Sequence, residues 1–173
     1  NDLTTLGTPI GTLTLNADQR NSTTYDGSAK LSNSQNKLDA NTRITTGENT
    51  AVRAEADIDL GNISFLKPFV SNFLYALNGG IKGKVRYAQQ GKRTEMEGSL
   101  DFNNAAVGVI MTGATYTLKN ERLVLTAQNA SLKNFTLSDS LGNTFELNGD
   151  IGLKNMAEPT LDLKVQTDKF QMI

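Results

Sequence analysis

An all-β fold, interrupted once by an amphipathic helix, is predicted for this chain by three observations. Apolar and polar residues alternate strictly around one hairpin. Ile81, Gly83, Val85 and Tyr87 fall on one face and Lys82, Lys84 and Arg86 on the other. Met96, Gly98, Leu100 and Phe102 then answer Glu95, Glu97 and Asp101. Side chains alternate faces along a strand, so this is a sheet apolar on one side and wet on the other. Clusters rich in Asn, Gly and Ser recur between short alternating runs, which is turn chemistry. Finally, one stretch has apolar residues at three- and four-residue spacing, the period of a helix.

In chain order, alternation begins at Leu13 and Leu15 and continues through Tyr25, Gly27, Ala29 and Leu31. Further runs are Leu38, Ala40 and Ile44, then Val52, Ala54, Ala56, Ile58 and Leu60. Four strands are expected before the helix, with turns at Asn33-Ser34-Gln35-Asn36 and Thr46-Gly47-Glu48-Asn49. The helix is expected at about 63–78, from Ile63, Leu66, Phe69, Val70, Phe73, Leu74 and Leu77. Asn62 or Ser64 can cap its start, Pro68 falls in its first turn, and Gly79-Gly80 would end it.

The hairpin that follows is expected to turn at Gln90-Gly91, which sets Arg86 against Glu95, Lys84 against Glu97 and Gly83 against Gly98. Beyond it, Tyr116 and Leu118 are expected to turn through Lys119-Asn120-Glu121 to Leu123 and Leu125. Leu132, Phe135 and Leu137 turn through Asp139–Asn143 to Phe145, Leu147, Gly149 and Ile151. Leu132 and Phe135 differ in parity, so a bulge is expected near Lys133-Asn134. A last alternating run extends from Thr160 to Phe170. Residues 1–61 thus read as a polar β segment, 62–79 as the helical segment and 80–173 as its β continuation. Both ends read as cuts from a longer chain.

Composition narrows the function. The 173 residues include 17 basic and 18 acidic ones, a formal net charge of −1. No field of one sign results, so nucleic acid is not an expected partner. Cys and His are absent. That removes Ser-His-Asp and Cys-based catalysis, disulfides and Cys/His zinc sites. No enzymatic activity is expected, and no cofactor or metal. Asp57 and Asp59 flank Ile58 like a carboxylate pair but belong on a solvated strand face. Asp139, Gly142 and Asn143 lack the full calcium-loop pattern and fit an Asx turn.

Gly142-Asn143-Thr144-Phe145-Glu146-Leu147-Asn148-Gly149-Asp150-Ile151, preceded by Asp139, resembles a segment typical of TamB-like proteins. These are translocation and assembly module subunits within the AsmA-like group. Gly113-Ala114-Thr115-Tyr116-Thr117-Leu118-Lys119-Asn120 and Leu77-Asn78-Gly79-Gly80-Ile81-Lys82-Gly83 fit the same pattern. The resemblance spans about Asn62 to Phe170 and implies a long incurved antiparallel sheet, a β-taco with an open apolar groove.

It also implies a periplasmic protein, anchored in the inner membrane by an N-terminal helix absent from this chain. Such a protein works in outer-membrane biogenesis beside a BamA/TamA-type barrel. Its groove would conduct phospholipid acyl chains or hydrophobic outer-membrane β-strands. The residues expected to line the groove are Val85, Met96, Leu100, Tyr116, Leu118, Leu125, Leu137, Phe145, Leu147 and Ile151. Leu66, Phe69, Val70, Phe73, Leu74 and Leu77 of the helix would cap it.

Alternation by itself leaves another reading open: the apolar face as the sealed interior of a barrel or sandwich, such as a surface or adhesin-type module binding protein or glycan. An open sheet edge would also offer a route to dimers.

Overall fold

Strands need partners for every backbone N–H and C=O, and in this chain each takes them from its neighbour in sequence. A computed structural model describes residues 2–5, 8–48, 50–91, 93–154 and 160–167, with side chains from residue 11 onward other than that of Phe69. Eleven strands form one unclosed antiparallel sheet in simple sequential order. They are β1 (Asp2–Thr5), β2 (Thr8–Asn21), β3 (Thr24–Ser32), β4 (Asn36–Thr45) and β5 (Ala51–Leu60), followed by β6 (Leu74–Gln90) and β7 (Arg93–Val109). After these come β8 (Ala114–Thr126), β9 (Asn129–Ser138), β10 (Thr144–Gly152) and β11 (Thr160–Thr167). Phe170, the expected end of the last run, lies outside the described residues.

The helix is far shorter than its periodicity suggests. It consists of a 3-10 turn, Ser64–Leu66, and one α turn, α1 (Lys67–Val70). Asn62 Oδ1 accepts the Ser64 N–H at 2.9 Å, and Pro68 sits in the first turn of α1. Leu74 and Leu77, expected on the helix, belong to β6 and pair with Val109 and Val107 of β7. Two irregularities, at Leu74/Ala76 and Asn78/Gly80, break the two-residue alternation there and mimic a helical period. Gly79 is not a helix cap: it has φ +93° within the second irregularity, where a Cβ would lie 2.4 Å from Ala105 Cα.

The central hairpin is displaced by two residues from the expected register. Gln90 pairs with Arg93, so Arg86 faces Glu97, Tyr87 faces Met96, Val85 faces Gly98 and Gly83 faces Leu100. A shift of two preserves the faces, so the sorting of residues holds although the partners change. Gly83 and Gly98 are diagonal neighbours rather than opposite one another. A Cβ on Gly98 would lie 2.0 Å from the Lys84 carbonyl oxygen, and one on Gly83 equally close to that of Ser99. The glycines therefore permit close approach of the two strand backbones.

Lys119-Asn120-Glu121 is not a turn. β8 runs straight through it, pairing Asn120 with Asn103 and Glu121 with Phe102. These polar residues have turn chemistry, but seventeen-residue β7 supplies a continuous partner that holds them extended. The bulge near Asn134 is present: Asn134 has φ +49°, pairing slips between Leu147 and Gly149, and Asn148 Oδ1 accepts the Asn134 N–H at 2.8 Å.

Two apolar clusters lie on one face of the sheet. One gathers Leu60, Ile63 and Leu77, with Leu66, Val70 and Leu74 against them. It ties the helical segment to the part of β6 that β5 does not reach, and the Ile63 N–H bonds the Gly79 carbonyl at 2.9 Å. The other gathers Ala105, Leu118, Leu132 and Phe135.

Candidate apolar binding face

Successive pairings line the apolar residues into rows perpendicular to the strands. One row begins Leu13, Leu31, Leu38, Ile58 and Gly83 on β2–β6. It continues through Leu100, Leu123, Leu132, Gly149 and Leu163 on β7–β11. A second, two residues along, runs Leu15, Ala29, Ala40, Ala56 and Val85, then Gly98, Leu125, Ala130, Ile151 and Leu161. Ten strands at about 4.8 Å spacing give each row a span of roughly 43 Å.

The face bends toward itself over β7–β10. Phe102 on β7 and Phe135 on β9 meet edge-on with centroids 6.0 Å apart, and Tyr116 on β8 meets Phe145 on β10 at 5.9 Å. Strands two apart in a flat sheet are separated by about 9.6 Å, so these rings close over the strand between them. No second sheet covers the face among the described residues. Its flanks are open: Leu15 is 66% exposed and Leu161 68%, whereas Leu125, on the same row, is 6% exposed.

The ten residues expected to line a groove all lie on strands β6 to β10. Val85, Met96, Leu100, Tyr116, Leu137, Phe145, Leu147 and Ile151 are half-buried and present apolar surface. Leu118 and Leu125 are buried beneath their neighbours and are core rather than lining. Of the expected cap, Leu66, Val70, Leu74 and Leu77 pack in the first cluster. Phe73 instead points outward, and the Phe69 side chain lies outside the described residues. Leu15, Tyr25, Ile44, Leu161 and Val165, also exposed, extend the apolar face beyond the expected residues. Their alternation was visible, but nothing in it distinguishes a flank from a centre.

The other face is a lattice of opposite charges. Lys37, Asp59, Lys82, Asp101 and Arg122 follow one another across five strands with alternating sign. The basic residues of β6 are neutralised from β5 rather than from β7 as expected. Lys82 meets Asp59 at 3.0 Å, Lys84 meets Asp57 at 2.7 Å and Arg86 meets Glu55 at 3.3 Å. The two-residue change in register leaves Lys84 opposite Ser99, so β5 supplies the nearest carboxylates.

The guanidinium of Arg43 holds the Asp26 carboxyl below its ordinary range, and Arg122 does the same for Asp101. Asp139 is also lowered, first by the Asn143 side-chain amide and then by backbone amides of its own loop. Its Oδ1 accepts the Leu141 and Asn143 N–H groups at 2.9 and 2.8 Å, so the loop is an Asx turn. A concavity of about 600 Å³ on this wet side is lined by Asp26, Arg43, Arg53, Glu55, Arg86 and Glu97 among others. Its ion pairs, Arg43–Asp26 and Arg86–Glu55, are internal to it.

Comparison of the chain with protein-family models, with curated proteins and with solved structures finds no match.

Proposed function

We propose that the uncovered apolar face holds hydrocarbon chains, and that this chain is a segment of a TamB-like envelope protein. On this reading it works in the periplasm. It passes phospholipid acyl chains from an inner-membrane-anchored region toward a BamA/TamA-type barrel in the outer membrane. The role is non-enzymatic.

The observation that carries it is the pair of apolar rows crossing ten strands with exposed ends. A bilayer's hydrocarbon core is about 30 Å thick, so one leaflet's chains are about 15 Å long, and a 43 Å row accommodates two or three end to end. Burying one CH₂ is worth about 0.8 kcal/mol, or roughly 13 kcal/mol for sixteen carbons fully covered; an open face covering half gives roughly 6. That suits a conduit, which must bind and release. No polar group need be placed to recognise such a ligand. The charge-neutral wet side matches a face that simply meets water.

The test is native mass spectrometry of protein mixed with phosphatidylcholine, for wild type and for Met96→Arg and Leu147→Arg. Both positions are half-buried, so the fold should survive, and circular dichroism verifies that. Wild type should retain lipid and the variants lose most of it. Equal retention by folded variants, or none by wild type, overturns the reading.

A further inference from the structure

The two ends of the sheet differ. At one end the turns carry Asn21–Thr23, Glu48, Gln90, Arg93 and Lys154, all polar and exposed. At the other, β6, β7 and β8 overrun β5, whose last pair with β6 is Leu60 with Ile81. The seven residues 74–80 extend β6 past that point by about 23 Å. The end of this projection is apolar and uncovered: Met111 is 91% exposed, Phe73 71% and Ile110 50%. Isolated exposed apolar residues are ordinary, but three on one tip are a patch that water disfavours.

The projecting segments themselves carry no charge; the charged residues nearest the patch in sequence are Lys67 and Lys119. No Asp, Glu, Lys or Arg occurs in residues 68–81 or 102–118, which form the projecting parts of all three strands and the turn between β7 and β8. Several polar backbone groups of the tip are satisfied within it. The Ile110 N–H bonds the Phe73 carbonyl at 3.0 Å, the Phe73 N–H that of Val70 at 2.9 Å, and the Gly113 N–H that of Val109 at 2.9 Å. Tyr75 belongs to the same tip: its hydroxyl donates to the Gly113 carbonyl of the turn at 3.3 Å and lies 2.8 Å from Thr115 Oγ1. Uncovered apolar side chains, internally bonded backbone and a tyrosine whose hydroxyl is satisfied within the tip suit the headgroup–acyl boundary of a bilayer, where unpaired polar groups are costly and aromatic rings are enriched.

We infer that this tip is a membrane-insertion site: Phe73, Ile110 and Met111 enter the headgroup–acyl boundary of a bilayer, independently of the hydrocarbon-holding face. A protein pocket is the weaker match, because the tip offers no charged group to fix a partner's orientation. Without a basic cluster, binding requires no anionic lipid and resists salt, unlike a polybasic surface site.

The chain has no Trp, so a single one is a clean reporter. Met111→Trp and, at the polar end, Arg93→Trp are each mixed with phosphatidylcholine vesicles with and without bromine-labelled acyl chains. Met111→Trp should shift its emission to the blue and be quenched, in 0.05 M and 0.5 M NaCl alike, while Arg93→Trp should do neither. Flotation of the otherwise native chain should fall at least about tenfold with Ile110→Asp and Met111→Asp combined. It should persist in Leu147→Arg, which separates this site from the apolar face. An unmoved Met111→Trp spectrum, an equal response at both ends or loss of flotation with salt overturns the inference; capture of a protein through an intact tip that ignores vesicles does the same.

Discussion

Leu15, Leu125 and Leu161 lie on one apolar row yet differ tenfold in exposure, so truncating each to Ala measures whether the face is open in solution. Leu125 sits between Gly98 and Ala130, residues too small to fill a void. Leu125→Ala should cost about 3 kcal/mol, within the usual 2–5 for a buried Leu. Fully burying a Leu is worth about 2 kcal/mol, and Leu15 and Leu161 bury only about a third of their surface, so each should cost roughly 0.6 kcal/mol. The difference, about 2.4 kcal/mol, is roughly fiftyfold in the folding equilibrium. Urea titrations followed by circular dichroism give these values if the slope with denaturant is unchanged between variants. Equal costs at the three positions, or a cost at Leu15 that grows with protein concentration, would show that another surface covers the face. The open-face reasoning would then fail.

Two further outcomes follow from backbone geometry and charge. Gly98→Val must push a Cβ into the Lys84 carbonyl, and should cost more than about 3 kcal/mol in the same titration. Gly91→Ala, with φ +58° and open space around its Cβ, should cost only about 1 kcal/mol. Similar losses would contradict the assigned close approach of β6 and β7. Asp26, Asp101 and Asp139 are held below their ordinary value of 3.8 in the folded chain. Their contribution is present above that value and is lost as pH falls through the lowered folded values. Thermal stability should therefore be flat from pH 7 to about 5 and decline below about 4, less steeply when all three are Asn. An unchanged acid slope in the triple variant refutes this linkage.

Strand faces were legible in the sequence because parity survives a shift of two: Val85, Leu100 and Leu147 lie on the predicted side although the central register moved. The bulge at Asn134 was legible for the same reason, since Leu132 and Phe135 break parity. Where the reading failed, two local signals competed. Irregularities at Tyr75 and Gly79 gave Leu74 and Leu77 helical spacing, and only a long partner strand from residue 103 to 109 decides the matter. Lys119-Asn120-Glu121 has turn composition, but the pairing of β8 with β7 overrides it. Of the candidate site, the lining was readable as a face. The burial of Leu118 was not, because it depends on curvature that brings Phe102 to Phe135. The tip at Ile110 and Met111 is not legible in the sequence, because its exposure depends on β6 to β8 running past the end of β5.

Because each strand is hydrogen-bonded only to its predecessor and successor, the molecule behaves as a nearly one-dimensional array. Apart from the helical segment 61–73 between β5 and β6, the connections among the described residues are short, so assembly can spread hairpin by hairpin without waiting for distant segments to meet. Evolution can then set the reach of such a protein like the length of a ladder: inserting or deleting two rungs changes its extent by about 10 Å and leaves every remaining register intact.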